Sequence, residues 1–345
     1  MMSSVLLVTG GGGVGKTTLS AALAVTAARN GVRTLVVTVD PARRLATALG
    51  LKHLGSEPSP HDDEANLWAA MLDASASWKA IARRHASADV ASRLVDNPFF
   101  EAAAQHFPAS QSYASAEEMA NFVEARAWDL VVVDTPPSAG GIEFFSAPAE
   151  MRDLVGGRLL RWLTGGGLPG RRALFRLTAR PALRVAGTVL GSDLLERVAE
   201  FLMDLRTTYD GLARRAAQIE EHFREARTVV IATADPAPLR EAARFYRDLP
   251  DMVPRPDAVV FNRVLPVDWH NPEPPADGAL VDNLVRWGAE AHRQTEVRQE
   301  FAALWKTEVA TVPWRPKTPT SLDDLAALIT DAHGLPLEGL GVALR

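Results

Sequence analysis

Ser4-Val5-Leu6-Leu7-Val8-Thr9 runs into Gly10-Gly11-Gly12-Gly13-Val14-Gly15-Lys16-Thr17-Thr18, and from there into Leu19–Arg29. An apolar run, a glycine loop closing on Lys-Thr and an alanine-rich stretch give the strand–loop–helix setting that G-x-x-x-x-G-K-[ST] requires. Glycines let backbone N–H groups approach phosphate oxygens, and the helix start adds its positive dipole end. Gly11, Gly12, Gly13, Val14, Gly15, Lys16, Thr17 and Thr18 are therefore the candidate nucleotide-binding residues. Lys16 has the reach for the β- and γ-phosphates, and the Thr17 hydroxyl is placed to hold Mg²⁺. A loop that merely turned the chain would leave Lys16-Thr17 unexplained.

Working outward, β-branched runs recur at Thr34–Val39, Leu67–Leu72, Leu130–Val133, Val229–Thr233, Ala258–Phe261 and Val309–Val312. Several are apolar throughout, as strands covered on both faces must be. Alternation with helical stretches predicts an α/β fold. Its sheet is doubly wound and mostly parallel, of the P-loop NTPase kind, with a helical insertion subdomain. The expected organisation is a nucleotide-binding core in two parts, residues 1–150 and 228–333. A helical insertion at 151–227 divides them, and 334–345 forms a tail. Ser75–Ala127 reads as largely helical, with Ser115-x-x-Glu118 as a capping box. Asp193–Arg227 has the spacing of one or two amphipathic helices.

Composition bounds the chemistry. The 345 residues are 47% hydrophobic, enough for a substantial core, and carry a formal net charge of −5. That balance argues against nucleic acid as the main partner. Cysteine is absent, which removes disulfides, thiolate metal sites and cysteine nucleophiles. The histidines follow no metal-ligand spacing. No apolar run is long enough to span a bilayer, and the N-terminal apolar stretch reads as a strand, not a signal peptide. A cytoplasmic location is expected.

Ligands in such sheets sit beyond the carboxyl ends of the strands. Gly10, Asp40, Asp134, Asp235 and Asn262 fall at or just past those ends. Asp40, in Thr38-Val39-Asp40-Pro41-Ala42-Arg43-Arg44, is placed to orient or deprotonate an attacking water. Asp-Pro alone would be only a turn. Asp129-Leu130-Val131-Val132-Val133-Asp134 is the Walker B pattern, which makes Asp134 the second Mg²⁺ residue. Asn262 offers a donor and an acceptor to an adenine edge, and Arg263 can stack on the base; Asn after a strand is also a common turn residue.

One further stretch stands out. From residue 154 to 192 there is no acid, while Arg158, Arg161, Arg171, Arg172, Arg176, Arg180 and Arg184 alternate with apolar residues. Such a segment suits a membrane surface or an apolar protein client. It equally suits a subdomain whose arginine stems cover its own apolar surface.

The succession G-G-V-G-K-T-T, V-D-P-A, D-T-P-P and F-N-R resembles the ArsA-like ATPases, of the MinD and nitrogenase-iron-protein class of P-loop ATPases. The resemblance runs from about Val5 to Leu328. It implies ATP and Mg²⁺ as cofactors and ATP hydrolysis as the activity. It also implies Lys16 and Asp40 as catalytic, Thr17 and Asp134 at the metal, Asn262 at the adenine, and Pro313 lining the base pocket. It further implies a homodimer, or a heterodimer with a related ATPase. Where relatives carry a lysine that reaches across a dimer, this chain has Gly11, so Arg43 or Arg44 becomes the candidate stand-in. The cysteines of the arsenite pump and of the zinc-clasped targeting relatives are missing. A hydrophobic protein client or a membrane surface at 154–192 is the expected partner, with peripheral membrane association as the corresponding location. The alternatives are a non-hydrolysing nucleotide-gated adaptor, a surface-positioning ATPase of the MinD/ParA kind, and a small-molecule kinase of the same superclass.

Overall fold

The computed structural model describes residues 3–40, 44–106, 109–136, 138–156, 192–250, 253–270 and 281–343. Its strands are β1 (Ser4–Gly10), β2 (Thr34–Thr38), β3 (Ser59–His61), β4 (Glu64–Met71), β5 (Leu130–Asp134), β6 (Arg227–Ala232), β7 (Ala258–Val264) and β8 (Glu308–Pro313). They form one sheet in the order β3-β4-β2-β5-β1-β6-β7-β8. Every pairing is parallel except β3 with β4. Each run singled out by its β-branched residues is a strand. β2 and β5 are buried along their whole length, which is why their sequences lack alternation. β3 escaped notice because three residues including Pro60 carry no strand signal; it is an antiparallel edge with a register shift at Pro60/His61.

Helices flank the sheet in the doubly wound manner. α1 (Lys16–Arg29) packs against β2, β4, β5 and the late helix α12 (Leu322–Thr330). Ala21, Ala22, Leu23, Ala24, Val25, Ala27 and Ala28 are all buried, so α1 is a core helix rather than an amphipathic one. α2 (Arg44–Ala48) follows β2, α10 (Pro236–Asp248) packs on β6 and β1, and α11 (Val281–Trp305) packs on β7 and β8. β1 lies between β5 and β6. The chain thus leaves β1 for one half of the sheet and crosses to the other half after β5, which puts the switch point of the topology at the phosphate loop.

By packing, the described chain forms two compact units. One holds the sheet: the chain up to Leu72, Asn121–Ile142, and from Phe223 onward. The other is helical, Asp73–Ala120 with Glu143–His222, so the stretch after Asp73 groups with the stretch after Glu143. Its helices are α3 (Ala74–His85), α4 (Ala88–Asp96), α5 (Pro98–His106), most of α6 (Ser110–Glu124) and α7 (Ser138–Gly156), α8 (Ser192–Arg206) and α9 (Tyr209–Glu225). The last two are the amphipathic pair expected after residue 193. Residues 157–191, the bulk of the arginine-rich segment, lie outside the described residues.

Buried ion pairs lock the helical unit. The Glu117 carboxylate, 1% exposed, receives Arg84 and also Arg215 Nε at 2.9 Å, joining α3, α6 and α9. Arg152 reaches Glu220 at 2.7 Å, joining α7 to α9. Trp78, Phe100, Met151, Phe201, Tyr209 and Leu212 help line an apolar pocket of about 60 Å³ in the same unit. The expected capping box at Ser115 is not there. α6 begins at Ser110, so Ser115 is a buried interior residue, and Glu118 instead accepts from the Asp73 N–H at 3.2 Å. A capping box does start α12: Ser321 Oγ accepts from the Asp324 N–H at 3.1 Å and the Asp324 carboxylate accepts from the Ser321 N–H at 3.2 Å. Among the described residues, no helix is long and apolar enough to cross a membrane.

Removing one member of a buried pair strands the other charge. Glu117→Ala is expected to cost roughly 3–5 kcal/mol in urea unfolding of the helical unit. Ser321→Ala should cost only about 1 kcal/mol. Equal midpoints for wild type and Glu117→Ala would disprove the first.

Candidate functional site

Two glycines have no substitute between the end of β1 and the start of α1. Gly10 adopts φ 144°, and a Cβ there would lie 2.1 Å from the Ile231 carbonyl oxygen of neighbouring β6. Gly15 caps α1 with φ 94°, and its Cβ would lie 2.3 Å from Asn262 Nδ2. The loop therefore closes tightly over β6 and β7 while its amides stay near the start of α1. A cleft of about 600 Å³ opens beside it. Gly11, Gly13, Gly15, Lys16, Thr17 and Thr18 line one side. Arg44, Thr47, Ala48, Arg263, Thr318, Pro319 and Leu325 complete it. Gly12 is exposed and does not line it, and Val14 is turned into the core.

Asp134 ends β5 at 1% exposure. Thr17 Oγ1 donates to its Oδ2 at 2.7 Å, Thr38 Oγ1 to the same oxygen at 3.1 Å, and Ser20 Oγ to Oδ1 at 3.3 Å. Burial pushes the Asp134 carboxyl above its ordinary range, against the pull of the Thr17 hydrogen bond, the Lys16 charge and the other hydroxyls. Lys16 is buried too. Desolvation draws its ammonium below the usual lysine range, while Asp134 and then Asp40 oppose the shift. A carboxylate joined to a threonine hydroxyl is the hard-oxygen donor set that Mg²⁺ selects. Among the described residues no three His, Cys, Asp or Glu side chains converge, and a site completed by substrate phosphates needs no such cluster.

Asp40 sits just beyond β2. Its N–H donates to Thr38 Oγ1 at 3.2 Å, the same hydroxyl that donates to Asp134. Arg44 Nη1 lies 3.3 Å from the Asp40 carboxylate, and Arg44 lines the cleft with its side chain 66% exposed. Pro41, Ala42 and Arg43 lie outside the described residues. The chain Asp40–Thr38–Asp134–Thr17 thus spans the ends of β2 and β5 and the start of α1. Thr38 and Ser20 are members that motif reading passed over, although Thr38 stands two residues before Asp40.

Asn262 and Arg263 lie where β7 breaks register, between Phe261 and Val264. Asn262 Nδ2 donates to the Val14 carbonyl at 2.8 Å, and its Oδ1 accepts from the Arg263 N–H at 2.9 Å. Each group retains one further hydrogen-bonding position, so an adenine edge could still be met. Arg263 holds φ 61°, an uncommon conformation for a residue with a side chain, and reaches the cleft. Bulges re-aim side chains in this way next to functional sites. Pro313 does not line the cleft: it ends β8 paired with Val264, and the wall belongs to Thr318 and Pro319, past the turn that follows.

Comparison with known proteins covers the same ground. The sequence profile of the ArsA ATPase family, described as anion-transporting ATPases, matches residues 3–328. An uncharacterized protein of Streptomyces coelicolor is 33% identical over 339 residues, 94% of this chain and 75% of its own length. A protein of Halobacterium salinarum named as an arsenical pump-driving ATPase is 26% identical over 349 residues, 97% of this chain and 45% of its own length. The ATPase GET3 of Rhodotorula glutinis is 28% identical over 189 residues, 55% of this chain and 50% of its own length. The chain thus spans three quarters of the first relative and half or less of the other two. The profile takes in the phosphate loop, both aspartates, the bulged β7 and the helical unit: the chain belongs to the ArsA-like ATPase family.

Proposed function

We propose that this chain is a Mg²⁺-dependent ATPase that couples ATP binding and hydrolysis to a change of shape, and through it to a protein or membrane client. One observation carries the reading. Lys16 and Thr17 line the cleft, and hydrogen bonds tie Thr17 through Asp134 and Thr38 to Asp40 at the carboxyl ends of β5 and β2. Lys16 and the loop amides stabilise phosphate charge. Thr17 and Asp134 would hold Mg²⁺, which when bound neutralises charge on the β- and γ-phosphate oxygens. Asp40 orients the attacking water. Arg44, lining the cleft, is the candidate for the charge that Gly11 does not supply. Asn262 and Arg263 address the base. Since Asp40 and Asp134 share the Thr38 hydroxyl, a γ-phosphate that displaced Asp40 would be felt at the end of β5.

The 154–192 segment is the proposed client surface, and a dimer, homo- or hetero-, is the proposed assembly. A relative's name mentions arsenicals; this chain has no cysteine, so thiolate capture of arsenite is not open to it. A second reading is favoured by Gly11: a nucleotide-gated adaptor that binds ATP without cleaving it.

Phosphate release and ATP binding separate the two. Asp40→Asn is expected to keep ATP binding while turnover falls roughly 10²–10⁴-fold. Lys16→Ala should weaken ATP binding itself by about tenfold or more, through loss of a charge on the phosphates. Wild type that binds ATP yet releases no phosphate would establish the adaptor. Light scattering of Asp40→Asn with ATP and Mg²⁺ tests closure of a homodimer, and an unchanged mass would exclude it.

A further inference from the structure

Gly11 differs from the other glycines of the phosphate loop. Its backbone is outside the left-handed region that Gly13 (φ 75°) and Gly15 (φ 94°) occupy, so conformation does not demand glycine there. A Cβ at position 11 would lie 2.3 Å from Glu241 Oε2, the far end of a flexible side chain, and 3.5 Å from Val14 Cγ1, an ordinary contact. The one obstacle to a side chain is therefore the Glu241 carboxylate. Glu241 is half-buried on α10, and α10 packs on β6 and on β1, the strand that carries the loop. Its charge also acts on Lys16, together with Asp134 and Asp40.

A phosphate loop is an anion-binding site. A carboxylate beside it is a fixed negative charge next to that site. We propose that Glu241 is a specificity-determining residue of the nucleotide site: a negative charge held against Gly11 that weakens nucleotide binding and weakens triphosphates more than diphosphates. Each added phosphate charge brought to the loop meets the same carboxylate, so the penalty grows with the charge of the ligand. Relief comes when the carboxylate swings aside. The inference rests on the nucleotide reading of the cleft.

The test is a double-mutant cycle read by titration calorimetry with ATP and with ADP in the presence of Mg²⁺. The proteins are wild type, Glu241→Gln, Gly11→Ala and the double variant. Removing one unit charge a few ångströms away should tighten ATP by about tenfold and ADP by only about threefold at low salt, with the gain shrinking as salt is added. Gly11→Ala pushes the flexible carboxylate outward and should act in the same direction. In the double variant the two gains should fail to add, since both remove one contact. A Glu241→Gln variant with the wild-type ratio of ADP to ATP affinity overturns the proposal. So does full additivity of the two changes, or a Gly11→Ala variant that weakens ATP equally with and without the glutamate. If all four proteins bind ADP and ATP indistinguishably from wild type, only this inference fails. If none binds either nucleotide, the nucleotide reading fails with it.

Discussion

A single buried carboxylate organises the sheet unit. Asp134 is inside, where an ionised group is costly unless it is satisfied. Three hydroxyls satisfy it, from Thr17 and Ser20 on α1 and Thr38 on β2, and Lys16 adds an opposite charge. Hydrogen bonds to a charged group contribute about 1.5–3 kcal/mol each, more than neutral ones. Three of them, converging from two elements onto the end of a third, fix the start of α1 against the ends of β2 and β5. The loop amides, the Lys16 side chain and the Asp40 backbone inherit their positions from that arrangement.

The two units are held by different physics. The sheet unit buries strands that are apolar on both faces, and two of its buried charges, Lys16 and Asp134, sit at the site. The helical unit places charges inside itself, with Glu117 gripping two arginines and Arg152 reaching Glu220. The desolvation of such pairs offsets much of their attraction, while loss of one partner leaves a buried charge unpaired.

What was legible in the sequence follows from range. The phosphate loop, the Walker B strand and Asp40 declare themselves within a few neighbours, and parallel strands declare themselves by unbroken apolar runs. The edge strand Ser59–His61 is too short and too exposed to do so. The Ser115 capping box failed because Ser-x-x-Glu is meaningful only at a helix start, and the start lay at Ser110. Glu241 against Gly11, Asn262 against Val14, and Thr318 in the cleft wall are meetings of distant segments, and no local pattern announces them. The Arg263 bulge was hidden for another reason: an arginine after an asparagine carries no hint of a positive φ.

That bulge sets a value on a side chain. Holding a non-glycine residue in the left-handed region costs about 1 kcal/mol or more, and glycine at position 263 would avoid most of it. The fold keeps an arginine where a glycine would sit more easily. The bulge that brings the Arg263 side chain to the cleft is thus held at a cost in backbone energy.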